Sequence, residues 1–275
     1  MQRLTILVNS CDKRSDAWVP FFELLHIFWK DCPYEIVLNT ESKDFEYDKL
    51  NVRVIHTGNL SWGKRFKTVL NQIDSEYILY FLEDFFLMSD VSTDAFNEAF
   101  ELMQNDKSIG FIGLKYNKEL TFLDGSHHTN GRHFIPKDEL KLWHRVNNQV
   151  GIWRKEWLLK LIREHETPWE FDNYASIRSK KDSYKVLLIN NTADGIPSVF
   201  DYGVDVNLGY GIYAGKWLKN NKTLFERYGI EVDFEHYGWY DENEKEVRKY
   251  SKIKLMLYPL KNYFQKKYRR YKSMK

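Results

Sequence analysis

The chain has 275 residues, of which 43% are hydrophobic and 29% are charged. This composition suits a soluble domain with a sizeable core, and no apolar run reaches the roughly 18 residues of a membrane-spanning helix. With only two cysteines, Cys11 and Cys32, the sequence excludes a disulfide framework and a cysteine metal cage. The N-terminus lacks the cleavage site of a signal peptide, so we expect a cytosolic location.

The net charge of +2 hides a strong asymmetry along the chain. Residues 248–275 contain eleven Lys or Arg residues and no Asp or Glu. The other 247 residues contain 30 basic and 39 acidic residues, a net charge of −9. We therefore expect a domain large enough for catalysis over residues 1–247 and a basic tail over residues 248–275. The positive charge of the tail predicts an anionic partner.

Strand and helix patterns alternate through the first 115 residues. Five short apolar runs predict strands: Leu4 to Asn9, Tyr34 to Leu38, Val52 to Ile55, Tyr77 to Leu82 and Ile109 to Leu114. Between them, three stretches have apolar residues at helical spacing: Phe21 to Trp29, Phe66 to Ile73 and Phe96 to Met103. We expect Ser15-Asp16 to cap the first helix and Ser61 the second. The alternation predicts an α/β sheet with helices on both faces.

The regular alternation ends after residue 115. Residues 115–150 are rich in His, Gly, Asn and charge, which favours loops and short strands over a site. A helix is predicted from Arg154 to Glu166 and a strand from Tyr184 to Ile189. Residues 191–215 contain five glycines, which predicts a loop-rich segment.

The most informative motif is the acid pair Glu83-Asp84 at the end of an apolar strand. Open α/β sheets bind ligands at the carboxyl ends of their strands. Adjacent carboxylates repel each other unless positive charge lies between them, and a divalent cation with a diphosphate supplies such charge. A solvated strand end is the alternative, but the flanking Leu82, Phe85 and Phe86 favour a position near the interior.

A second motif, Ser10-Cys11-Asp12, follows the first predicted strand. A loop at this position commonly receives a nucleotide base or ribose, and the Asp carboxylate can accept hydrogen bonds from it. A simple turn with Asp12 at a helix start is the alternative.

A third motif runs from Gly58 to Arg65 and enters a helix. Backbone amides at a helix start together with Lys64 and Arg65 could contact a diphosphate. A solvated first turn is the alternative.

The fourth motif is Pro168-Trp169-Glu170-Phe171-Asp172. Carboxylates between aromatic rings are partly desolvated, which raises the pKa toward values that suit a general base. An aromatic ring beside a carboxylate is also a common way to build a sugar-binding site. Core packing by Trp169 and Phe171 is the alternative.

Several catalytic signatures are absent from the sequence. There is no dinucleotide glycine fingerprint, no Walker-type phosphate loop and no His-Glu-x-x-His zinc motif. A Gly-x-Ser-x-Gly nucleophile elbow is also missing, which disfavours a serine hydrolase.

Taken together, these motifs resemble a bacterial glycosyltransferase of the GT-A type, close to the family-two-like enzymes of capsule and lipopolysaccharide synthesis. The resemblance is carried by Asn9 to Asp12, by the stretch from Gly58 to Phe86 and by the segment from Asn148 to Asp172. In the third segment the family has a Gly-bearing turn, a helix and an acidic catalytic motif. The resemblance implies a GT-A fold with a mixed central sheet flanked by helices over about residues 1–180.

The resemblance also implies roles for individual residues. A nucleotide-diphospho-sugar donor, most readily a UDP-sugar, would contact a set of residues near the first and fourth strands: Asn9, Asp12, Lys64, Arg65 and Glu83. Mg²⁺ or Mn²⁺ on the diphosphate would be held by Asp84 together with Glu83. The sugar or acceptor pocket would be shaped by four residues of the third segment: Asn148, Gln149, Trp153 and Trp169.

Asp172 is the predicted catalytic base, with Glu170 as the second candidate. The base would deprotonate an acceptor hydroxyl that attacks the anomeric carbon with inversion. The family usually has an Asp-x-Asp metal motif, where this chain has Glu83-Asp84, and an adjacent catalytic pair, which Phe171 separates here.

The basic tail fits a glycosyltransferase that extends a glycan or a lipid-linked oligosaccharide. Leu257, Leu260 and Phe264 approximate one apolar face among lysines and arginines, as in a helix that lies on an anionic membrane surface. We therefore expect peripheral association with the inner face of the membrane through residues 248–275. Nucleic acid binding is not expected because the rest of the chain is net acidic.

Two other functions stay open at this stage. A sugar-nucleotide nucleotidyltransferase would share the fold, but it normally has a glycine-rich basic loop after the first strand, and the segment Asn9 to Arg14 has no glycine. A non-catalytic carbohydrate-binding or scaffold protein could instead use the nine Trp and eighteen Tyr residues as stacking surfaces.

Overall fold

The computed structural model describes residues 3–115, 120–127, 131–190, 199–202, 211–213, 215–241, 271 and 273. In these parts of the chain the strands are β1 (Leu4–Asn9), β2 (Ile36–Thr40), β3 (Val52–His56), β4 (Tyr77–Phe81), β5 (Ile109–Gly113), β6 (Phe134–Pro136), β7 (Gly151–Arg154), β8 (Lys185–Ile189), β9 (Ile212–Tyr213) and β10 (Lys216–Trp217). The α-helices are α1 (Trp18–Phe28), α2 (Trp62–Asn71), α3 (Thr93–Asn105), α4 (Lys155–Leu161), α5 (Pro168–Arg178) and α6 (Asn220–Arg227).

Eight of the strands form one mixed sheet in the order β3-β2-β1-β4-β7-β5-β8-β6. The first four of these are parallel neighbours, and β8 is parallel to β5. In contrast, β7 runs antiparallel to both β4 and β5, and β6 runs antiparallel to β8. The predicted α/β fold with a mixed central sheet is confirmed.

Apolar layers cover both faces of the sheet. On one face α1 and α3 pack against strand residues such as Ile6 and Leu79, and on the other face α2, α4 and α5 pack against Leu7 and Ile78. Because successive strand residues point to opposite faces, a strand covered on both sides must be apolar throughout. This explains the continuous apolar runs in β1 and β4, which are fully buried.

The helix starts differ from the sequence predictions. A short 3-10 helix (Asp12–Ala17) contains Ser15 and Asp16, and α1 begins only at Trp18 without a side-chain cap. Ser61 does precede α2, but it makes no side-chain cap, and its hydroxyl donates to the Glu164 carbonyl instead. The predicted cap at Ser15-Asp16 is therefore wrong, whereas Ser61 is the N-cap residue of α2 as predicted, although its side chain does not bond to the helix start.

The segment around Gly151 is a strand, where the resemblance placed a glycine-bearing turn. All four residues of β7 are buried, and the following helix is shorter than predicted and ends at Leu161. A separate helix, α5, begins with a capping box between Thr167 and Glu170 and with Pro168 at its first turn. Long-range pairing with β4 and β5 stabilises β7, which a local pattern does not reveal.

Some predictions fall on residues that the structure does not describe. Most of the loop-rich segment 191–215 and nearly all of the basic tail 248–275 lie outside the described residues. The domain boundary at residue 247 therefore stays a prediction. In the described parts of the chain, every helix is too short or too polar to cross a membrane.

Gly151→Ala should destabilise the fold because a Cβ there would overlap the Phe111 ring and lie 2.7 Å from the Ile112 carbonyl oxygen. We expect a loss of about 1–3 kcal/mol in the free energy of unfolding, measured by urea denaturation. The matched control is Gly113→Ala at the paired position, where the Cβ would lie 3.0 Å from a Leu188 methyl and at ordinary contact distances of 3.5 and 3.7 Å from the Phe111 ring. Equal losses in both variants would contradict this account.

Candidate active site

The carboxyl ends of β1, β4 and β5 meet at one edge of the sheet because these strands run in the same direction. Ser10 follows β1, Glu83 and Asp84 follow β4, and Lys115 follows β5. The reversed strand β7 begins at this edge, so the residues before it arrive there as well: the Leu114 amide donates to the Val150 carbonyl at 3.0 Å. This edge is where an α/β sheet usually binds its ligand.

The acid pair lies in a turn that apolar residues hold against the body of the protein. Glu83 is only 6% exposed, and Asp84 is half-buried. Phe85 contacts Tyr202 at 5.3 Å between ring centroids, and Phe86 packs against Phe225 at 5.0 Å. The expectation that the flanking rings keep the carboxylates near the interior is therefore confirmed.

The two carboxylates are short of positive charge. Burial and then the charge of Asp84 raise the pKa of Glu83, and burial likewise raises the pKa of Asp84. The Arg14 guanidinium acts in the opposite direction on both groups. This effect of Arg14 is smaller than the opposing effect of burial. The site therefore lacks positive charge, which an added cation would supply.

Arg14 is a site residue that the sequence analysis did not single out. It belongs to the 3-10 helix before α1, and its guanidinium carbon lies 5.6 Å from the centroid of the Tyr237 ring. Its Nη1 is buried and has no hydrogen-bond partner among the described residues. The available signal was weak, namely a basic residue soon after the first strand.

Arg65 lies inside the protein and not on a ligand surface. Its guanidinium donates to Glu41 at 2.6 Å, to the Ser10 carbonyl at 2.7 Å and to the Thr57 hydroxyl at 3.0 Å. These partners use all three of its nitrogens, so the predicted diphosphate contact of Arg65 is corrected to a structural role. Lys64, the next residue before it, is exposed, and its predicted phosphate contact stays an expectation.

Asn9 belongs to a buried polar chain at the ends of the first strands. It accepts from Asn39 at 2.6 Å and donates to the Tyr80 hydroxyl at 3.3 Å. The Thr57 hydroxyl donates to the same Asn39 side chain at 2.7 Å. Asn9 therefore orients Tyr80, and it lies at the predicted edge of the sheet, beside the turn of the acid pair.

Asp12 is occupied by a neighbouring loop. Its carboxylate accepts from the Glu41 amide at 2.9 Å, from the Ser42 hydroxyl at 2.7 Å and from the Lys43 amide at 3.2 Å. Burial acts to raise the pKa of Asp12, but these hydrogen bonds outweigh it and hold the pKa well below its usual value. The predicted nucleotide contact of Asp12 is corrected to a loop-holding role.

Asp172 reaches the same edge of the sheet from α5. Its Oδ1 accepts from the backbone amide of Asn148 at 2.8 Å and from the side-chain amide of the same residue at 2.9 Å. Burial raises the pKa of Asp172 to about 6, against the opposing hydrogen bonds of Asn148 and the charge of Lys137. The sequence argument that this carboxylate is partly desolvated is confirmed, and Asn148 is its anchor.

Tyr80, at the end of β4, connects the two acidic groups. Its hydroxyl is fully buried, and burial is the main reason that its pKa is raised. The charges of Glu83, Asp172 and Asp84 all raise it further, against the Asn9 hydrogen bond. Glu83 and Asp84 follow β4, and Asn148, which precedes β7, holds Asp172, so the three carboxylates lie toward the same edge of the sheet.

The last three predicted residues, Glu170, Trp153 and Trp169, lie in three different environments. The Glu170 carboxylate accepts from the amide and the hydroxyl of Thr167, both at 3.0 Å, as part of the α5 capping box. Trp153 is 1% exposed and packs against Phe111 in the core, so its predicted contact with substrate is wrong. Trp169 is 75% exposed, which leaves it available to a ligand.

A cavity of about 200 Å³ opens beside the acid pair. It is lined by Gly113, Lys115, Lys137, Leu142, Trp143, His144, Asn147, Gln149, Val150 and Leu188. The ammonium of Lys115 lies 5.7 Å from the centroid of the Phe85 ring, so the cavity borders the turn of Glu83 and Asp84. Gln149 lines this cavity, and its predicted role in a sugar or acceptor pocket stays a prediction, whereas neither lysine was singled out from the sequence.

The chain matches no family model and no curated protein sequence. Among solved structures, S. aureus TarS is similar with a TM-score of 0.48 and 12% identity over 70% of this chain and 36% of TarS. For TarS 1–349 in complex with UDP-GlcNAc, the TM-score is 0.44 and the identity 16%, over 70% of this chain and 57% of that one.

Two further solved structures come from different enzyme classes. The mannosyltransferase PcManGT from Pyrobaculum calidifontis, in complex with GDP-Man and Mn²⁺, has a TM-score of 0.45 and 12% identity over 70% of this chain and 58% of its own. A cytidylyltransferase from Leptospira borgpetersenii has a TM-score of 0.46 and 14% identity over 77% of this chain and 84% of its own. The chain thus spans little more than a third of the TarS chain and little more than half of TarS 1–349.

The raised pKa of Asp172 predicts a pH-dependent stability difference between the wild type and Asp172→Asn. Because this carboxyl keeps its proton more tightly in the folded state, its favourable contribution is present at low pH and is lost as the pH rises through about 6. We expect the free energy of unfolding of the wild type, relative to the variant, to fall by about 2–3 kcal/mol between about pH 4 and about pH 7. Urea denaturation across this range measures the difference, and a constant difference would contradict the assignment.

Proposed function

We propose that this protein is a GT-A-type glycosyltransferase that moves a sugar from a nucleotide-diphospho-sugar to an acceptor hydroxyl. The observation that carries the proposal is the placement of three carboxylates at the carboxyl edge of the sheet: Glu83 and Asp84 follow β4, and Asn148, just before β7, holds Asp172. A buried acid pair suits a divalent cation at the diphosphate end of the donor, and a separate carboxylate with a raised pKa suits the acceptor. The same edge of the sheet would thus offer a place for the departing diphosphate and a base for the acceptor hydroxyl, and a direct displacement requires both.

Glu83 and Asp84 have the chemistry to hold a divalent cation. Both offer carboxylate oxygens, the ligands that Mg²⁺ and Mn²⁺ favour, and burial raises the pKa of each, an effect that Arg14 offsets only in part. When bound, such a cation neutralises charge on a departing diphosphate. Arg14, with a buried nitrogen that has no partner among the described residues, would add a second positive group at the same place.

Asp172 is the proposed general base. Its Oδ1 receives both hydrogen bonds from Asn148, and among the described residues its Oδ2 has no such partner. We assign Oδ2 to the acceptor hydroxyl, which would lose its proton as it attacks the anomeric carbon with inversion. A pKa of about 6 leaves most of this carboxyl ionised at neutral pH while keeping it more basic than an exposed Asp.

The finer parts of the proposal concern donor, acceptor and location. A UDP-sugar donor and a glycan or lipid-linked acceptor in surface polysaccharide synthesis, such as capsule or lipopolysaccharide, would suit this chemistry. Residues 248–275, with eleven basic residues, would bring the protein to the anionic inner face of the membrane. These assignments go back to the sequence, because the structure describes only two residues of that tail.

Substitution at α5 tests which carboxylate is the base. Asp172→Asn should lower the rate of sugar transfer by about 10²–10⁴-fold while the fold survives. The matched variant Glu170→Gln, two residues away, should keep most of the rate and lose about 1 kcal/mol of stability through the weakened capping box. Wild-type transfer should also decline below about pH 6. Full activity in Asp172→Asn, or loss only in Glu170→Gln, would refute the assignment.

Nucleotide binding provides a test that needs no acceptor. We expect UDP to raise the melting temperature more than GDP, dTDP or CMP, and Mn²⁺ to increase the shift, because a ligand of the folded state stabilises it by mass action. Asp84→Asn should remove the Mn²⁺ dependence, whereas Asp90→Asn, an exposed carboxylate in the same segment, should not.

The other outcomes of the nucleotide experiment identify the alternatives. A shift with CTP that exceeds those with UDP, UDP-GlcNAc and GDP-mannose would favour a nucleotidyltransferase. No shift with any nucleotide, in a folded sample, would favour a carbohydrate-binding protein and would remove the basis for the glycosyltransferase proposal.

A further inference from the structure

The cavity beside the acid pair is lined by one buried lysine, Lys137, and one half-buried lysine, Lys115. We call it the lysine cavity and define it by Lys115, Lys137, Trp143, His144 and Gln149, which all line it. Its volume of about 200 Å³ can hold one sugar-sized group but not a longer chain. None of these five residues is assigned to the proposed metal pair or to the general base itself, although the charge of Lys137 acts on the pKa of Asp172.

Lys137 is an unusually buried cation. It is 6% exposed, and among the described residues no carboxylate lies within ion-pair distance of its ammonium. Burial lowers the pKa of Lys137 to about 8, against the charges of Asp172 and Asp138. Neither of these is a direct partner, because Asn148 holds Asp172 and Arg145 binds Asp138 at 2.8 Å.

Lys115 adds a second positive group to the same cavity. Burial lowers the pKa of Lys115, and its ammonium lies near the Phe85 ring. Burying an ammonium is costly unless a negative group compensates it. Lys137, which has no carboxylate at ion-pair distance among the described residues, therefore favours a ligand with negative charge, and Lys115 adds positive charge to the lining of the same cavity.

The other lining groups match the hydroxyls and the apolar face of a sugar. Gln149 Oε1 and His144 Nδ1 are buried and have no hydrogen-bond partner among the described residues. The Gln149 oxygen can only accept, so it requires a donor such as a sugar hydroxyl. The Trp143 side chain, 90% exposed, provides a flat surface beside the cavity.

We infer that the lysine cavity binds an anionic sugar unit, one that bears a carboxylate or a phosphate. The inference rests on the proposed function for the identity of the reaction and adds the substrate class. The unit would be either the sugar of the donor or the terminal sugar of the acceptor, and both carry the same negative group to Lys115 and Lys137.

Calorimetric titration with monosaccharides tests the cavity directly. Methyl glucuronoside and glucose 6-phosphate are the anionic probes, and methyl glucoside is the neutral probe. We expect at least one anionic probe to bind about tenfold more tightly than the neutral one, a difference typical of a charge-assisted contact. Similar affinity for all three, or no binding of any, would overturn the inference.

Variants of the cavity locate the effect. Lys137→Met should remove the preference for the anionic probe, and Gln149→Leu should weaken all three probes together. The control is Lys141→Gln, an exposed lysine of the same segment that does not line the cavity, and it should change affinity less than about twofold. If Lys137→Met does not fold, the affinities of the wild-type protein for the anionic and neutral probes still test the inference. An unchanged preference in folded Lys137→Met would contradict the proposed site.

Two further binding measurements determine whether the anionic sugar belongs to the donor or to the acceptor. Preference for UDP-glucuronate over UDP-glucose, reduced in Lys137→Met, would place the anionic unit on the donor. Binding of the free anionic probe to protein saturated with UDP-glucose would place it on the acceptor. If neither occurs, the inference is wrong. Nucleotide binding measured in parallel separates the proposals, since a protein that binds nucleotide but no anionic sugar loses only this one.

Discussion

The antiparallel insertion of β7 between β4 and β5 is the constraint on which the candidate site depends. Because β7 starts at the edge where β4 and β5 end, Asn148 and Gln149 arrive beside the acid pair. Asn148 then fixes Asp172 on α5, while Gln149 lines the lysine cavity. With β7 in the opposite direction, these residues would lie at the far edge of the sheet. The close approach of Gly151 to the Ile112 carbonyl allows the strand to occupy this place.

The charges at this edge are separated into two groups. Glu83 and Asp84 lie after β4 with Arg14 near them, and Lys115 and Lys137 lie on the side of β5 and β8. Both groups are buried more deeply than ordinary charged side chains, and the pKa values move toward the neutral forms, upward for the acids and downward for the lysines. Such a distribution opposes stability and is typical of sites that gain their compensating charge from a ligand.

Hydrogen bonds between residues far apart in the sequence explain why several predicted contacts with a ligand were wrong. Arg65 binds Ser10, 55 residues away, and Asp12 binds the loop at Ser42, 30 residues away. A charged residue after a strand has the same local signature whether it faces a ligand or another loop. The predicted substrate contact of Trp153 was wrong for a related reason. Trp153 lies in a buried strand of only four residues, which is too short for its sequence pattern to distinguish it from a turn.

The sequence by itself determined the strands β1 to β5, the helices between them and the burial of the acid pair, because hydrophobic periodicity and flanking aromatic rings are local properties. It also indicated Asp172, since Phe171 beside a carboxylate predicts desolvation wherever the segment lies. Only the tertiary structure decided that Asp172 lies toward the same edge of the sheet as Glu83 and that Lys137 lines the neighbouring cavity. Burial of a charge and its distance from another charge depend on contacts between residues far apart in the chain, and no local spacing contains that information.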